Sequence, residues 1–161
     1  PEKIRYDIAY ERAQDALSRL VPEAKAADVA IGIENVWNRF LLSPLETRRF
    51  LDEIGSDYVG MYLDVGNAVY IGYPEQWIEI LGHRIKKLHM SDYRFDQAGI
   101  GAFVDLFAGD VDFPAVAKAI AGIGYDDYIT LEMLPNYKQF PEVSLYADKY
   151  AMNKIIEMIH L

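Results

Sequence analysis

Met61-Tyr-Leu-Asp-Val-Gly-Asn67 reads as a buried strand that runs into an acid, Asp64, and stops at the turn signal Gly66-Asn67. A carboxylate at the carboxyl end of an apolar strand is where α/β folds place their chemistry. Three other stretches repeat the layout: Val29-Ala-Ile-Gly-Ile-Glu34, Ile85-Lys-Lys-Leu-His89 and Tyr128-Ile-Thr-Leu-Glu132. Four strands thus end in Glu34, Asp64, His89 and Glu132.

The segments between these strands read as helices. Tyr6, Tyr10, Ala13, Leu17 and Leu20 fall at helical spacing, so residues 4–20 form an amphipathic helix with Pro22 just past its end. The first strand covers residues 27–36 and is nearly continuous in apolar side chains, as when both faces are covered. Ser43-Pro44-Leu45-Glu46 combines a capping box with Pro at the first helical position, and Gly55 marks that helix's end. After the strand at 59–64 comes a loop carrying Tyr70 and Tyr73, then a helix opened by Pro74 and closed near Gly82. The third strand covers 85–89. A long connection from 92 to 112 has room for one helical turn at 102–107. Pro114 opens a helix that Gly122 and Gly124 end, the fourth strand covers 128–132, and a loop from Pro135 to Pro141 leads to a last helix at 144–159.

A helix followed by four strand–helix units implies a parallel sheet with right-handed crossovers. Units of this length suit a (β/α)8 TIM barrel, of which 161 residues supply about four units. The expectation is therefore one domain, residues 1–161, forming the carboxyl-terminal half of such a barrel. A half barrel leaves two sheet edges unpaired, so either further strands or a second copy would complete it, and a homo-oligomer is compatible with this.

Bulk composition removes several classes of function. There is no cysteine, which excludes disulfides and thiolate metal sites. No apolar run approaches a membrane span and the first residues do not resemble a signal peptide, so the expected location is the cytoplasm, without membrane contact. The net charge of −9 argues against nucleic acid, whose phosphates call for clustered Lys and Arg.

In a parallel barrel the strand ends at one rim converge, so residues far apart in sequence meet there. Three carboxylates and one imidazole from Glu34, Asp64, His89 and Glu132 would make a mostly hard-oxygen site. That donor set suits Mn2+ or Mg2+, with Co2+ or Zn2+ as alternatives. Each residue also has an ordinary reading, since acids after strands often cap helices and lone histidines often sit satisfied at strand ends. Trp37 follows Glu34 closely and could line a pocket there or simply pack in the core. His83 and His160 read as structural and surface residues. Asp92 reads as a turn residue or an anchor for the long loop.

Ile33-Glu34-Asn35, Leu63-Asp64-Val65-Gly66-Asn67, Leu88-His89-Met90-Ser91-Asp92, Gly109-Asp110-Val111-Asp112-Phe113 and Gly124-Tyr125-Asp126 with Leu131-Glu132 resemble the sugar phosphate isomerase/epimerase family. This is the xylose-isomerase-like TIM barrel group, which includes ketose 3-epimerases and hydroxypyruvate isomerases. The resemblance implies that Glu34, Asp64, His89 and Glu132 are metal ligands and that Glu34 and Glu132 also form the acid/base pair. It implies a small sugar or sugar-phosphate substrate, whose carbon-bound proton is removed and returned through an enediolate. Asn67 stands where sugar epimerases of the group often have a substrate-binding His, and it resembles the sugar-phosphate branch. Ser91 stands where many members have Lys, leaving Arg94 as the cation available to a substrate. Alternatives are a hydroxypyruvate-type isomerase, a metal nuclease of the endonuclease IV type, and a non-catalytic sugar-binding barrel.

Overall fold

The computed structural model describes residues 3–134 and 137–161. Its elements are α1 (Tyr6–Ala27), β1 (Ile31–Glu34), α2 (Pro44–Ile54), β2 (Val59–Asp64), α3 (Val65–Ile71), α4 (Pro74–Leu81), β3 (Ile85–Met90), β4 (Asp92–Tyr93), β5 (Phe103–Val104), α5 (Phe113–Gly122), β6 (Ile129–Leu131) and α6 (Glu142–Ile159). β1, β2, β3 and β6 pair in that order, all parallel, and make a partial TIM barrel. β4 and β5 form a small antiparallel ladder of their own. Pro135, where the sequence places the start of a loop, lies outside the described residues.

Helices cover the sheet on one side only. Met61, Leu63, Leu88 and Met90 are buried in the main core, and Ile31, Ile33, Ile129 and Leu131 pack against it. The alternate positions, Gly32, Glu34, Tyr62, Asp64, Lys87, His89, Thr130 and Glu132, belong to the opposite, inner face. The strands are therefore apolar on one face and polar on the other, not covered on both faces as their composition implies.

One irregularity decides what that inner face carries. Met61 pairs with Ile85 but Tyr62 pairs with Lys87, so Lys86 is an extra residue bulged out of β3. Side chains alternate along a strand, and were Lys86 to take a regular place in the ladder His89 would fall on the helix side. Gly60 makes room for the bulge: a Cβ there would stand 2.5 Å from Cγ and 2.9 Å from Cε of Lys86.

Several boundaries follow the sequence and several do not. Ser43 Oγ accepts the Glu46 N–H at 3.2 Å, and Gly55 ends α2 in the left-handed conformation at φ 64°. The other arm of the expected capping box lands one residue early, with the Glu46 carboxylate accepting Leu42 N–H at 3.0 Å. α1 runs through Pro22 to Ala27 instead of ending at residue 20, because Glu23-Ala-Lys-Ala-Ala27 favours helix and a proline removes a single backbone donor. β1 is correspondingly short, four residues. The expected loop after Asp64 is the helix α3, capped by Asp64 itself. The helical turn expected at 102–107 is a 3-10 turn at Gly99–Ala102 followed by β5. Asp92 anchors this connection, its carboxylate accepting the N–H groups of Tyr93 at 2.9 Å, Gly109 at 2.8 Å and Val111 at 3.2 Å.

Candidate metal centre

The carboxyl ends of the four parallel strands bring Glu34, Asp64, His89 and Glu132 together. One donor atom from each lies within 4.8 Å of the others. The outer strands of the sheet supply the glutamates, and the inner strands supply Asp64 and His89. His89 Nδ1 faces both glutamates, 3.1 Å from Glu34 Oε1 and 2.8 Å from Glu132 Oε2.

Asp64 is the buried member, 1% exposed. Its Oδ1 accepts the Asn67 N–H at the first turn of α3. The Ser91 hydroxyl stands 3.0 Å from each of its oxygens. Asn35 holds its backbone from the next strand, donating to the Asp64 carbonyl at 2.9 Å and accepting the Asp64 N–H at 2.7 Å. Burial pushes the Asp64 carboxyl up to about 8, the neighbouring Glu132 pushes the same way, and the Asn67 and Ser91 donors pull against them. Behind His89, the Tyr62 ring lies 3.9 Å from the imidazole, centroid to centroid, and its hydroxyl pairs with Thr130 Oγ1 at 2.9 Å.

Three carboxylates and an imidazole nitrogen crowded this closely fit a divalent cation. The donor set is hard to borderline, and burial, with the neighbouring Glu132 adding to it, raises the Asp64 carboxyl above its ordinary range, a shift that a cation at the cluster would oppose. A cavity of about 200 Å³ adjoins the cluster, with Asp64, Asn67, Ser91 and Glu132 on one side and Ile100, Phe103, Val104, Met133 and Leu134 on the other. A larger open groove of about 930 Å³ lies between α1 and the start of α2 and includes none of the four. Its two phenols already pair, Tyr6 with Glu46 at 2.7 Å and Tyr10 with Glu53 at 2.8 Å.

The remaining sequence candidates have defined places. Asn67 lines the cavity beside the cluster. The Trp37 indole N–H donates to the Asn67 carbonyl at 3.4 Å, and its ring lies against Tyr70 at 4.8 Å and Phe103 at 5.4 Å. The Arg94 guanidinium forks onto Asp96 at 3.0 and 2.7 Å, and Arg94 is not among the described residues that line the cavity. His83 lies in the 3-10 turn after α4 and His160 beyond the end of α6, both apart from the cluster. Sequence reasoning missed Asn35, Tyr62 and the part played by Ser91. A polar residue directly after a strand-end acid, as in Glu34-Asn35, was the available signal for the first.

Comparison with known proteins bears on both fold and site. A family model described as xylose isomerase-like TIM barrel matches residues 1–151. An uncharacterized protein of Methanocaldococcus jannaschii, MJ1311, is 30% identical over 125 residues, which are 72% of this chain and 41% of that protein. An L-ribulose 3-epimerase of Mesorhizobium japonicum is 27% identical over 128 residues, 76% of this chain and 40% of its own. This chain thus spans about two fifths of the curated relatives it matches. Among solved structures, the IolI protein with a zinc atom bound superposes with a TM-score of 0.79 at 20% identity, over 97% of this chain and 59% of that one.

Proposed function

We propose a function from one premise: the chain belongs to the xylose isomerase-like TIM barrel family. The function is that of a divalent-metal-dependent isomerase or epimerase acting on a small ketose or ketose phosphate. One observation carries the reading, the gathering of donor atoms from Glu34, Asp64, His89 and Glu132 within 4.8 Å at one rim of the sheet. The L-ribulose 3-epimerase relative supports the reaction class, and the zinc in the IolI structure supports a cation in this fold.

When bound, the cation would stabilise the negative charge that develops on the substrate's oxygens during proton removal. Asp64 and His89, on the central strands, would be among its ligands. Glu34 and Glu132 would be ligands and also the acid/base pair. Inverting or isomerising a carbon next to a carbonyl requires taking its proton and returning one, in epimerisation from the opposite face. The two glutamates come from the two outer strands of the sheet and both reach His89 Nδ1, which supports their acting as a pair across the site. Asn67, Trp37 and Arg94 are proposed to contact the substrate, with Asn67 the nearest to the cluster.

Incorporation of solvent deuterium into a panel of ketoses, with and without Mn2+, tests reaction and cation together. Glu34→Gln and Glu132→Gln should each lower exchange by roughly 10²–10⁴-fold, with the far-ultraviolet circular dichroism unchanged. Exchange by either variant at the wild-type rate would refute its role as acid or base.

A further inference from the structure

Asp64 presents its carboxylate to the cluster in a way that favours one kind of cation. A carboxylate can be chelated only along the edge between its two oxygens. In this chain that edge faces the Ser91 hydroxyl, equidistant at 3.0 Å from Oδ1 and Oδ2. The hydroxyl is committed there, because its oxygen already accepts the Gly66 N–H at 3.0 Å, and its one proton has Asp64 as its partner. Ser91 is itself 2% exposed and shut in from the Gly66 side, where an added Cβ would strike its hydroxyl and come within 3.1 Å of the Phe103 ring. Oδ1 accepts a second bond from Asn67 N–H, and the Glu132 side chain also hydrogen-bonds the Asp64 carboxyl.

We propose that Ser91 is a positioning residue that sets the metal preference of the site: by covering the chelating edge of Asp64 it limits that side chain to one-oxygen coordination, and so selects small divalent ions such as Mn2+ against Ca2+. Ca2+ takes about 6–8 oxygen ligands in flexible shells, often with carboxylates bound through both oxygens, whereas smaller ions are satisfied by fewer donors. The inference rests on reading the cluster as a cation site, and it adds which cation and why.

The test is calorimetric titration of the metal-free chain with Mn2+ alone and with Ca2+ alone, for the wild type, Ser91→Ala and Ser91→Thr. The wild type should bind Mn2+ more tightly than Ca2+. Ser91→Ala, which frees the edge, should shift the ratio of the two dissociation constants toward Ca2+ by roughly tenfold or more. Ser91→Thr, which keeps the hydroxyl, should restore the wild-type ratio. A residue that only stabilised the fold would change both affinities by one factor, so an unchanged ratio in Ser91→Ala overturns the proposal while leaving the cation site standing. Equal affinity of the wild type for the two ions overturns it as well. Failure of the wild type to bind Mn2+ sinks the cation site itself and this inference with it.

Discussion

Asp64 caps α3, receives the Ser91 hydroxyl and faces Glu132, all from a position 1% exposed. A carboxylate so buried is costly to ionise, and that cost has a definite pH signature. Its pKa is raised from 3.8 to about 8 on folding. Below the lower value both folded and unfolded chains hold the proton, and the group is neutral to stability. Between the two values only the unfolded chain releases it, so stability falls as pH rises through that window, and above about 8 the loss is complete. Asp64→Asn cannot ionise. In the presence of a chelator its thermal midpoint should exceed that of the wild type at pH 8 and lose the advantage near pH 4, by scanning calorimetry. A variant less stable than the wild type at pH 8 would contradict the cost assigned to Asp64. At this scale the four cluster residues were legible, because each closes an apolar run. Asn35 left only the signal of a polar residue straight after a strand-end acid, and Ser91 left none, since nothing in a linear sequence tells which hydroxyl will reach across to another strand's end.

Elements show the same division between local and long-range information. β2 was legible to the residue and α2 nearly so, because an apolar run, a Ser-Pro-x-Glu start and a closing Gly are local signals. Pro22 misled, since a proline's local effect was outweighed by the helix-forming residues beyond it. The decisive feature, the bulge at Lys86, has no local signal: Ile85-Lys-Lys-Leu-His89 reads as a strand with or without it. Only pairing against β2 reveals that the extra residue turns His89 toward Asp64. Gly60→Ala should therefore act through this junction, pushing Lys86 out of place and destabilising the chain by about 1–3 kcal/mol, measured by urea unfolding. It should also weaken cation binding, because the shifted register is what aims His89. Deleting Lys86 removes only the extra residue, so Ile85, Lys87, Leu88 and His89 keep their partners in β2, His89 stays on the inner face and cation binding should survive, read by calorimetry. Loss of cation affinity after the deletion, with the circular dichroism unchanged, would refute the reading of Lys86 as the extra residue.

The molecule as a whole is a four-stranded arc whose outermost strands, β1 and β6, each carry one glutamate of the cluster. The inner face between them is polar, holding Tyr62, Lys87 and Thr130 below the ring of donors. An ion bound at the rim would therefore tie the two edge strands to each other through their side chains, across β2 and β3. Binding to the folded state alone stabilises it by mass action, about 2.7 kcal/mol at a hundred times the dissociation constant. For a chain of this length that corresponds to a rise of roughly 5–10 °C in thermal midpoint. The location of the gain is as informative as its size. Amide hydrogen exchange should slow most at β1 and β6, the edges that the ion joins, and less at β2 and β3, which are already paired on both sides. Glu34→Gln should remove the added protection at β1, and Glu132→Gln at β6. Uniform protection across the sheet would mean that the ion acts on global stability without joining the two edges, and no change in melting with Mn2+ would mean that the four side chains do not form a cation site.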